Sequence, residues 1–279
     1  MEPYAPRVTV TPALYRAGSG PQVLLLHGFT GSWLHWKPVL AELAGRYDVI
    51  APTLAGHDGG PPLHLHEGPA LLAAADHLEG HLDELGVHDA HVVGNSMGGS
   101  LALELAKRGR VRSVLAIAPG GGWTRGDGTA QAVGRFFARQ TRAARLAGPR
   151  APALMRRPST RRVAFRDVMR FGDLLAPADA VDMLRASNRC TVVRTVLKAL
   201  RADDGVTVED LDRIAVPVLV ATPELDRILL PARNTARFRR EIPGVEHVVL
   251  PAVGHVPMWD DTRLVTRTIV DWVDRQVRA

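Results

Sequence analysis

Hydrophobic residues in this chain form short unbroken runs, separated by longer segments with a helical period. The runs cover 24–26, 48–51, 91–93, 114–118, 218–221 and 246–250. Short apolar runs between turn residues are typical of strands buried on both faces, as in a parallel sheet. Residues 8–16 alternate weakly between apolar and polar, which predicts edge strands turned at Gly18 to Pro21.

The intervening segments predict helices at 33–44, 69–85, 100–108, 231–241 and 262–277. In the last of these, apolar residues from Leu264 to Val273 recur on one helical face. Strands that alternate with helices favour an α/β fold with a doubly wound, mostly parallel sheet. Ligands of such sheets bind at the carboxyl ends of the strands.

The alternation stops between residues 123 and 205, where no strand pattern occurs. We interpret 123–205 as a helical cap inserted into a core of residues 1–122 and 206–279. The insertion holds sixteen Arg and one Lys against seven Asp, a surplus of +10, whereas the whole chain is only +6. Around 135–145 the arginines share a helical face opposite Val133, Phe137 and Ala144. This arginine-rich face is either an ordinary solvated helix surface or a surface that attracts an anionic or carrier-bound substrate. We expect no nucleic-acid partner.

Composition narrows the class of protein. With 279 residues, 46% of them apolar, the chain can bury a full hydrophobic core and does not need disulfides or a structural metal to stabilise it. Its single cysteine, Cys190, excludes an internal disulfide and is expected to pack as a small apolar side chain. Residues 1–7 do not resemble a leader, and no run approaches the roughly 18 apolar residues of a membrane span. We therefore expect a cytoplasmic protein without a membrane span.

The strongest chemical signal is the pentapeptide from Gly94 to Gly98, a G-x-S-x-G motif between an apolar run and a helical segment. A strand, a sharp turn and a helix are the context that such a motif requires. Gly94 and Gly98 are expected because a Cβ at either position would meet neighbouring backbone. The turn would present Ser96 as a nucleophile.

A nucleophilic serine needs a base, an orienting acid and an oxyanion hole. His255, in a loop rich in Gly and Pro after the run at 246–250, is the predicted base. Asp226, after the run at 218–221, is the predicted acid, with Glu224, Asp203 and Asp204 as competitors. The N–H groups of Phe29 and Met97 are the predicted oxyanion donors.

These residues make the chain resemble the α/β-hydrolase family over nearly its whole length. The matching pieces are His27-Gly28, Gly94 to Gly99, Asp226 with Pro231, and Gly254-His255, in the family's order. The chain departs from the family at Pro223, where Gly is usual, and at 51–57, which lacks the usual Asp. The resemblance implies a serine hydrolase that acts on a carboxylic ester or related acyl compound, without metal or organic cofactor.

Four other functions stay open on the same scaffold. The nucleophile motif and Ala118 to Gly121 are similar to C–C bond hydrolases of diketone-type substrates, although the loop after Gly28 is shorter than theirs. An acyl-carrier thioesterase would suit a basic cap. A non-hydrolytic biosynthetic enzyme and a ligand-binding protein with a vestigial site are the remaining alternatives.

Several residues have weaker signals. His77 and His81 lie one helical turn apart, but no third ligand is placed, so we expect a surface helix and no metal site. We also expect no metal site at the loop histidines His64 and His66. His27 is expected to form a structural hydrogen bond. The predicted substrate pocket includes Trp33, Trp123 and Val256.

Overall fold

A computed structural model describes residues 8–63 and 69–278; the predictions for residues 1–7 and for His64 and His66 lie outside the described residues. Its eight strands form one sheet in the order β1-β2-β4-β3-β5-β6-β7-β8. They are β1 (Thr9–Val10), β2 (Leu14–Ala17), β3 (Gln22–Leu26), β4 (Asp48–Pro52), β5 (Ala90–Asn95), β6 (Val111–Ile117), β7 (Val218–Pro223) and β8 (Glu246–Leu250). Strands β1 and β2 are antiparallel at one edge, and β3 to β8 are parallel. This confirms the predicted fold class.

The helices follow the predicted segments, with small shifts at their ends. They are α1 (Lys37–Ala44), α2 (Ala70–Glu84), α3 (Met97–Lys107), α4 (Thr129–Ala147), α5 (Ala151–Leu154), α6 (Pro158–Phe165), α7 (Pro177–Arg189), α8 (Val193–Ala202), α9 (Pro231–Glu241) and α10 (Thr262–Arg278). The largest departure is at 33–44, where the first turn, Trp33–Trp36, is a 3-10 helix and Pro38 stands near the start of α1.

Side chains that alternate along the strands build the core on both faces of the sheet. In β3, Val23 and Leu25 pack on the side covered by α1 and α10. Leu24 and Leu26 pack on the opposite side, against α2, α3 and α9. All four side chains are fully buried, which is why β3 reads as a continuous apolar run.

Between β6 and β7 the described residues contain the helices α4 to α8 and no strand. Along α4, Val133, Phe137 and Ala144 are buried, and the four arginines of that helix (Arg135, Arg139, Arg142 and Arg145) are exposed. The two ends of the helical segment are joined through Asp203, whose carboxylate accepts hydrogen bonds from Trp123 Nε1 at 3.2 Å and Gly126 N at 2.6 Å. None of the described helices is long and apolar enough to cross a membrane.

Candidate active site

Ser96 occupies the turn between β5 and α3 with φ 56° and ψ −118°. A non-glycine residue in this region costs on the order of 1–3 kcal/mol unless its surroundings fix it. Ser96 N donates to Ile117 O at 2.9 Å, and Ser96 O accepts from Ser100 N and Gly120 N, both at 3.1 Å. The backbone is therefore held by hydrogen bonds on both sides of the serine.

Glycines allow this turn to pack closely. A Cβ on Gly94 would overlap the carbonyl oxygen of Gly98, and one on Gly98 would overlap that of Leu26. A Cβ on Gly28 would lie 3.2 Å from Cβ of Ser96, so the loop after β3 passes directly beside the serine. These contacts agree with the close backbone packing expected from the sequence.

His255 and Asp226 form a buried pair next to this turn. His255 Nδ1 lies 2.7 Å from Asp226 Oδ2, and both side chains are at most 4% exposed. The other oxygen, Oδ1, accepts from Ile228 N at 2.8 Å and Leu229 N at 2.9 Å, which fixes the carboxylate plane. Because a carboxylate only accepts, Nδ1 of His255 carries the proton. Nε2 of His255 is buried and makes no hydrogen bond within the part of the chain described.

The competing carboxylates are engaged elsewhere. Glu224 Oε2 accepts from Ala252 N at 2.7 Å. Asp203 binds Trp123 and Gly126, as described above, and Asp204 pairs with Arg125 at 3.1 Å. Of the four candidates, Asp226 is the one that contacts His255.

Asn95 and Asp260 also position the histidine, and the sequence analysis did not identify them. Asn95 Nδ2 donates to His255 O at 3.0 Å and to Ile117 O at 3.3 Å. Asp260 Oδ2 accepts from Gly254 N at 2.7 Å. Asn95 lies inside the serine motif, but no local pattern indicates that its partner is His255, 160 residues away. For Asp260 we find no sequence pattern that predicts its contact with the loop of His255.

The predicted oxyanion donors are the amides of Met97 and Phe29. Met97 is the first residue of α3, so its N–H has no partner within the helix and lies at the positive end of the helix dipole. Phe29 follows Gly28 in the loop beside Ser96, and its N–H makes no hydrogen bond with the described residues. Both donors are free to bind an oxygen that carries negative charge.

Two cavities meet at Ser96. The main cavity has a volume of about 120 Å³, and the small cavity, which also contains His255, has about 50 Å³. Phe29, Ser96, Phe137 and Ile228 line both. The main cavity is mostly apolar. It is lined by α2 and by the helical segment, with side chains that include Leu71, Leu78, Trp123, Val133, Val192 and Leu200.

The predicted pocket residues are divided between these surfaces. Trp123 lines the main cavity and Val256 the small one. Trp33 lines neither; its Nε1 donates to Thr11 O at 2.8 Å and its ring packs on Tyr15 at the antiparallel edge.

Cys190 is buried beside Phe29 and Trp123, and burial raises the pKa of its thiol to about 11, which leaves it protonated and unreactive.

Of the histidines His27, His77 and His81, the last two differ from the expected arrangement. His77 and His81, expected on a surface helix, lie on the face of α2 that lines the main cavity. His27 forms the expected structural hydrogen bonds: Nδ1 donates to Gly28 O at 2.8 Å and Nε2 accepts from Leu54 N at 2.9 Å. No group of three potential metal ligands is found among the described residues.

Residues 23–267 match the model of the alpha/beta hydrolase family. The chain belongs to this family, and the protein is a hydrolase. It is 34% identical over 204 residues to the epoxide hydrolase EphH of Mycobacterium tuberculosis, which covers 72% of this chain and 93% of that protein.

Among solved structures, it is similar to 2-hydroxy-6-oxo-6-phenylhexa-2,4-dienoate hydrolase from Rhodococcus sp. RHA1, with TM-score 0.74, 19% identity and coverage of 99% and 100%. It is also similar to an esterase from Thermogutta terrifontis, with TM-score 0.70, 23% identity and coverage of 96% and 97%. At these identities the two structures show a shared fold.

Proposed function

We propose that the protein is a serine hydrolase that cleaves a carboxylic ester or a related acyl compound. The observation that carries this proposal is the His255–Asp226 pair at 2.7 Å beside a serine held on a strained turn between two cavities. A nucleophile, a base and a group that orients the base are the parts of an acyl-transfer site.

The mechanism follows from the hydrogen bonds. Asp226 keeps the proton of His255 on Nδ1, so Nε2 is free to take the proton of the Ser96 hydroxyl as Oγ attacks the carbonyl carbon. Negative charge then develops on the carbonyl oxygen, where Met97 N–H and Phe29 N–H stabilise it. His255 returns the proton to the departing alcohol, and water releases the acyl group by the same steps. The unpartnered Nε2 of His255 fits this scheme, since catalytic hydrogen bonds often form only when substrate is bound.

The identity of the nucleophile favours acyl transfer over epoxide opening, despite the similarity to EphH. If a serine oxygen opened an epoxide, the product on the enzyme would be an ether. An ether has no carbonyl carbon for water to attack, so the enzyme would not turn over. With an ester, attack by Ser96 gives an acyl-enzyme that water can hydrolyse.

A fluorophosphonate probe tests the proposal directly, because it forms a covalent bond with an activated serine. We expect the wild-type protein to be labelled and Ser96→Ala to be unlabelled. Ser100→Ala is the matched control, since Ser100 also lines the main cavity but its hydroxyl donates to Gly120 O at 3.0 Å. Labelling that survives in Ser96→Ala, or absence of labelling in the wild type, would contradict the serine mechanism. Esters, an acyl thioester and a diketone then distinguish ester, thioester and C–C bond cleavage.

A further inference from the structure

The two cavities that meet at Ser96 contain different parts of the proposed catalytic site. His255 lines the small cavity and not the main one, whereas Met97 lines the main cavity and not the small one. Phe29, in the loop that passes beside the serine, lines both cavities and so lies where they meet. A substrate bound at Ser96 therefore reaches the base through the small cavity.

The position of the base decides where each part of an ester lies. After Ser96 Oγ has attacked, the former carbonyl carbon holds the serine oxygen, the oxyanion, the alkoxy oxygen and the acyl chain. The bond to the alkoxy oxygen breaks as that oxygen receives the proton that His255 took from the serine. The alkoxy group must therefore lie on the side of His255, in the small cavity. The acyl chain receives no proton, and the main cavity is left for it.

The linings of the two cavities agree with this assignment. None of the described residues that line the main cavity is Asp, Glu, Lys or Arg. Burial lowers the pKa of His57 in this lining to about 4, so its ring is neutral at physiological pH. Such a lining favours an apolar chain, which gains free energy when it leaves water. The small cavity also includes the polar side chains of Gln140 and Ser187, which suit a short alcohol and the water that replaces it in the second step.

The cavity volumes set the size of each part. An engineered apolar cavity of about 150 Å³ holds benzene. On that scale the main cavity, of about 120 Å³, accommodates about five carbons, and the small cavity, of about 50 Å³, accommodates about two. These sizes correspond to the chain of a hexanoyl group and to an ethoxy group.

We propose that the main cavity binds the acyl chain of the substrate and the small cavity binds its alcohol, so that the preferred substrates are esters of medium-length apolar carboxylic acids with short alcohols. This inference rests on the proposed ester hydrolysis at Ser96. The opposite placement would put a long chain on the side of His255, where the cavity is less than half as large. It would also leave most of the apolar main cavity unfilled.

Two isomeric esters test the assignment. Ethyl hexanoate and hexyl acetate have the same atoms, and they differ in whether the long chain belongs to the acid or to the alcohol. We expect kcat/KM of the wild-type protein, measured by pH-stat titration of the released acid, to be higher for ethyl hexanoate by about tenfold or more, because one methylene in an apolar pocket already changes kcat/KM by about that factor.

A substitution in the main cavity should remove this preference. Val196, a half-buried residue of α8, lines the main cavity. Val196→Phe should lower the ratio of the two kcat/KM values to near one, because the larger ring fills space that the acyl chain needs. Val181→Phe is the matched control: Val181 is also half-buried but lines neither cavity, so the wild-type ratio should remain.

A substitution in the small cavity should act on the other ester. Leu184, a half-buried residue of α7, lines the small cavity. Leu184→Ala should raise kcat/KM for hexyl acetate by about tenfold, because it makes room for a longer alcohol. Leu197→Ala, at a half-buried residue of α8 that lines neither cavity, is the matched control and should keep the wild-type value.

Three results would overturn the inference in a protein that the fluorophosphonate probe labels: equal hydrolysis of the two esters, a preference for hexyl acetate, or hydrolysis of neither. A wild-type ratio that persists in Val196→Phe would overturn it as well. If that variant fails to fold, the wild-type pair of esters and Leu184→Ala still decide. A protein that hydrolyses neither ester and resists the probe contradicts the proposed function instead, so the two failures are distinguishable.

Discussion

Acid should destabilise the folded protein through its buried histidines, and His57 allows the size of the effect to be worked out. Burial is the main cause that lowers the pKa of His57 to about 4, with Ala55 O and Leu54 O acting in the opposite direction. In the unfolded chain the pKa of a histidine is about 6.5. Between these values the unfolded chain binds a proton that the folded protein does not, so the free energy of unfolding decreases as the pH falls.

The magnitude follows from the shift. One pKa unit corresponds to 1.36 kcal/mol, so the full difference for His57 is about 3 kcal/mol, of which about 2.5 kcal/mol is lost between pH 7.5 and pH 4.5. Below pH 4 the folded ring also binds its proton, and the loss attributable to His57 levels off. Burial also lowers the pKa of His27 well below its usual range, so that residue adds to the loss in the same direction.

Equilibrium urea unfolding at pH 7.5 and pH 4.5 isolates the contribution of His57. His57→Gln should lose about 2.5 kcal/mol less than the wild type between the two pH values, whatever its stability at pH 7.5. His88→Gln is the matched control, because the side chain of His88 is 66% exposed, and it should follow the wild type. If His57→Gln loses as much stability as the wild type, His57 binds its proton in the folded state and the argument from burial is wrong.

Three further predictions follow from the site. Asp226→Asn should lower kcat by on the order of 10⁴, because the ring of His255 is then no longer held with its proton on Nδ1. Glu224→Gln should have little effect, because its amide oxygen can still accept from Ala252 N. If steady-state assays show Glu224→Gln to be the more damaging change, the choice of acid is wrong. Gly94→Ala should destabilise the fold by about 3 kcal/mol or more in urea unfolding, because its methyl group meets backbone. Gly80→Ala, with nothing within 4 Å, should be neutral or stabilising by about 0.5–1 kcal/mol. If the exposed arginines of α4 attract an anionic substrate, its kcat/KM should fall steeply with salt while that of a neutral ester stays constant.

Much of the fold could be predicted from the sequence because strands buried on both faces leave a local signal. Apolar runs at 91–93, 114–118 and 218–221 predicted β5, β6 and β7. Their ends were less certain, since hydrogen bonds to neighbouring strands decide where a strand stops. The serine turn was also predictable, because strand, Gly-x-Ser-x-Gly and helix are contiguous and each glycine is needed for a contact within reach of the turn.

Among the four candidate carboxylates, the sequence favoured Asp226 by its position after β7, and the structure shows that Asp226 is the one in contact with His255. Asp226 and Glu224 stand two residues apart after the same strand, so their local patterns are nearly equivalent. The amides of Ile228 and Leu229 hold Asp226 toward His255, and Ala252 holds Glu224 away from it. The bonds from Ile228 and Leu229 are local to the loop of Asp226. The contacts of Asp226 with His255 and of Glu224 with Ala252 form only when the sheet brings the strand ends together, and no periodicity in the sequence encodes them.

The cavity likewise depends on elements that are distant in the sequence. His77 and His81 have the spacing of any surface helix, and only the packing of α2 beside the helical segment turns them toward the cavity. His57 shows the same limit: the sequence places it in a loop after β4, but its burial and its contacts with the rings of His27 and Phe29 arise only in the folded protein. The sequence by itself determined the strands, the helices and the serine turn, because these arise from interactions between near neighbours. The tertiary structure decided the contact between Asp226 and His255 and the set of residues that line the cavity, because these arise from contacts between residues that folding alone brings together.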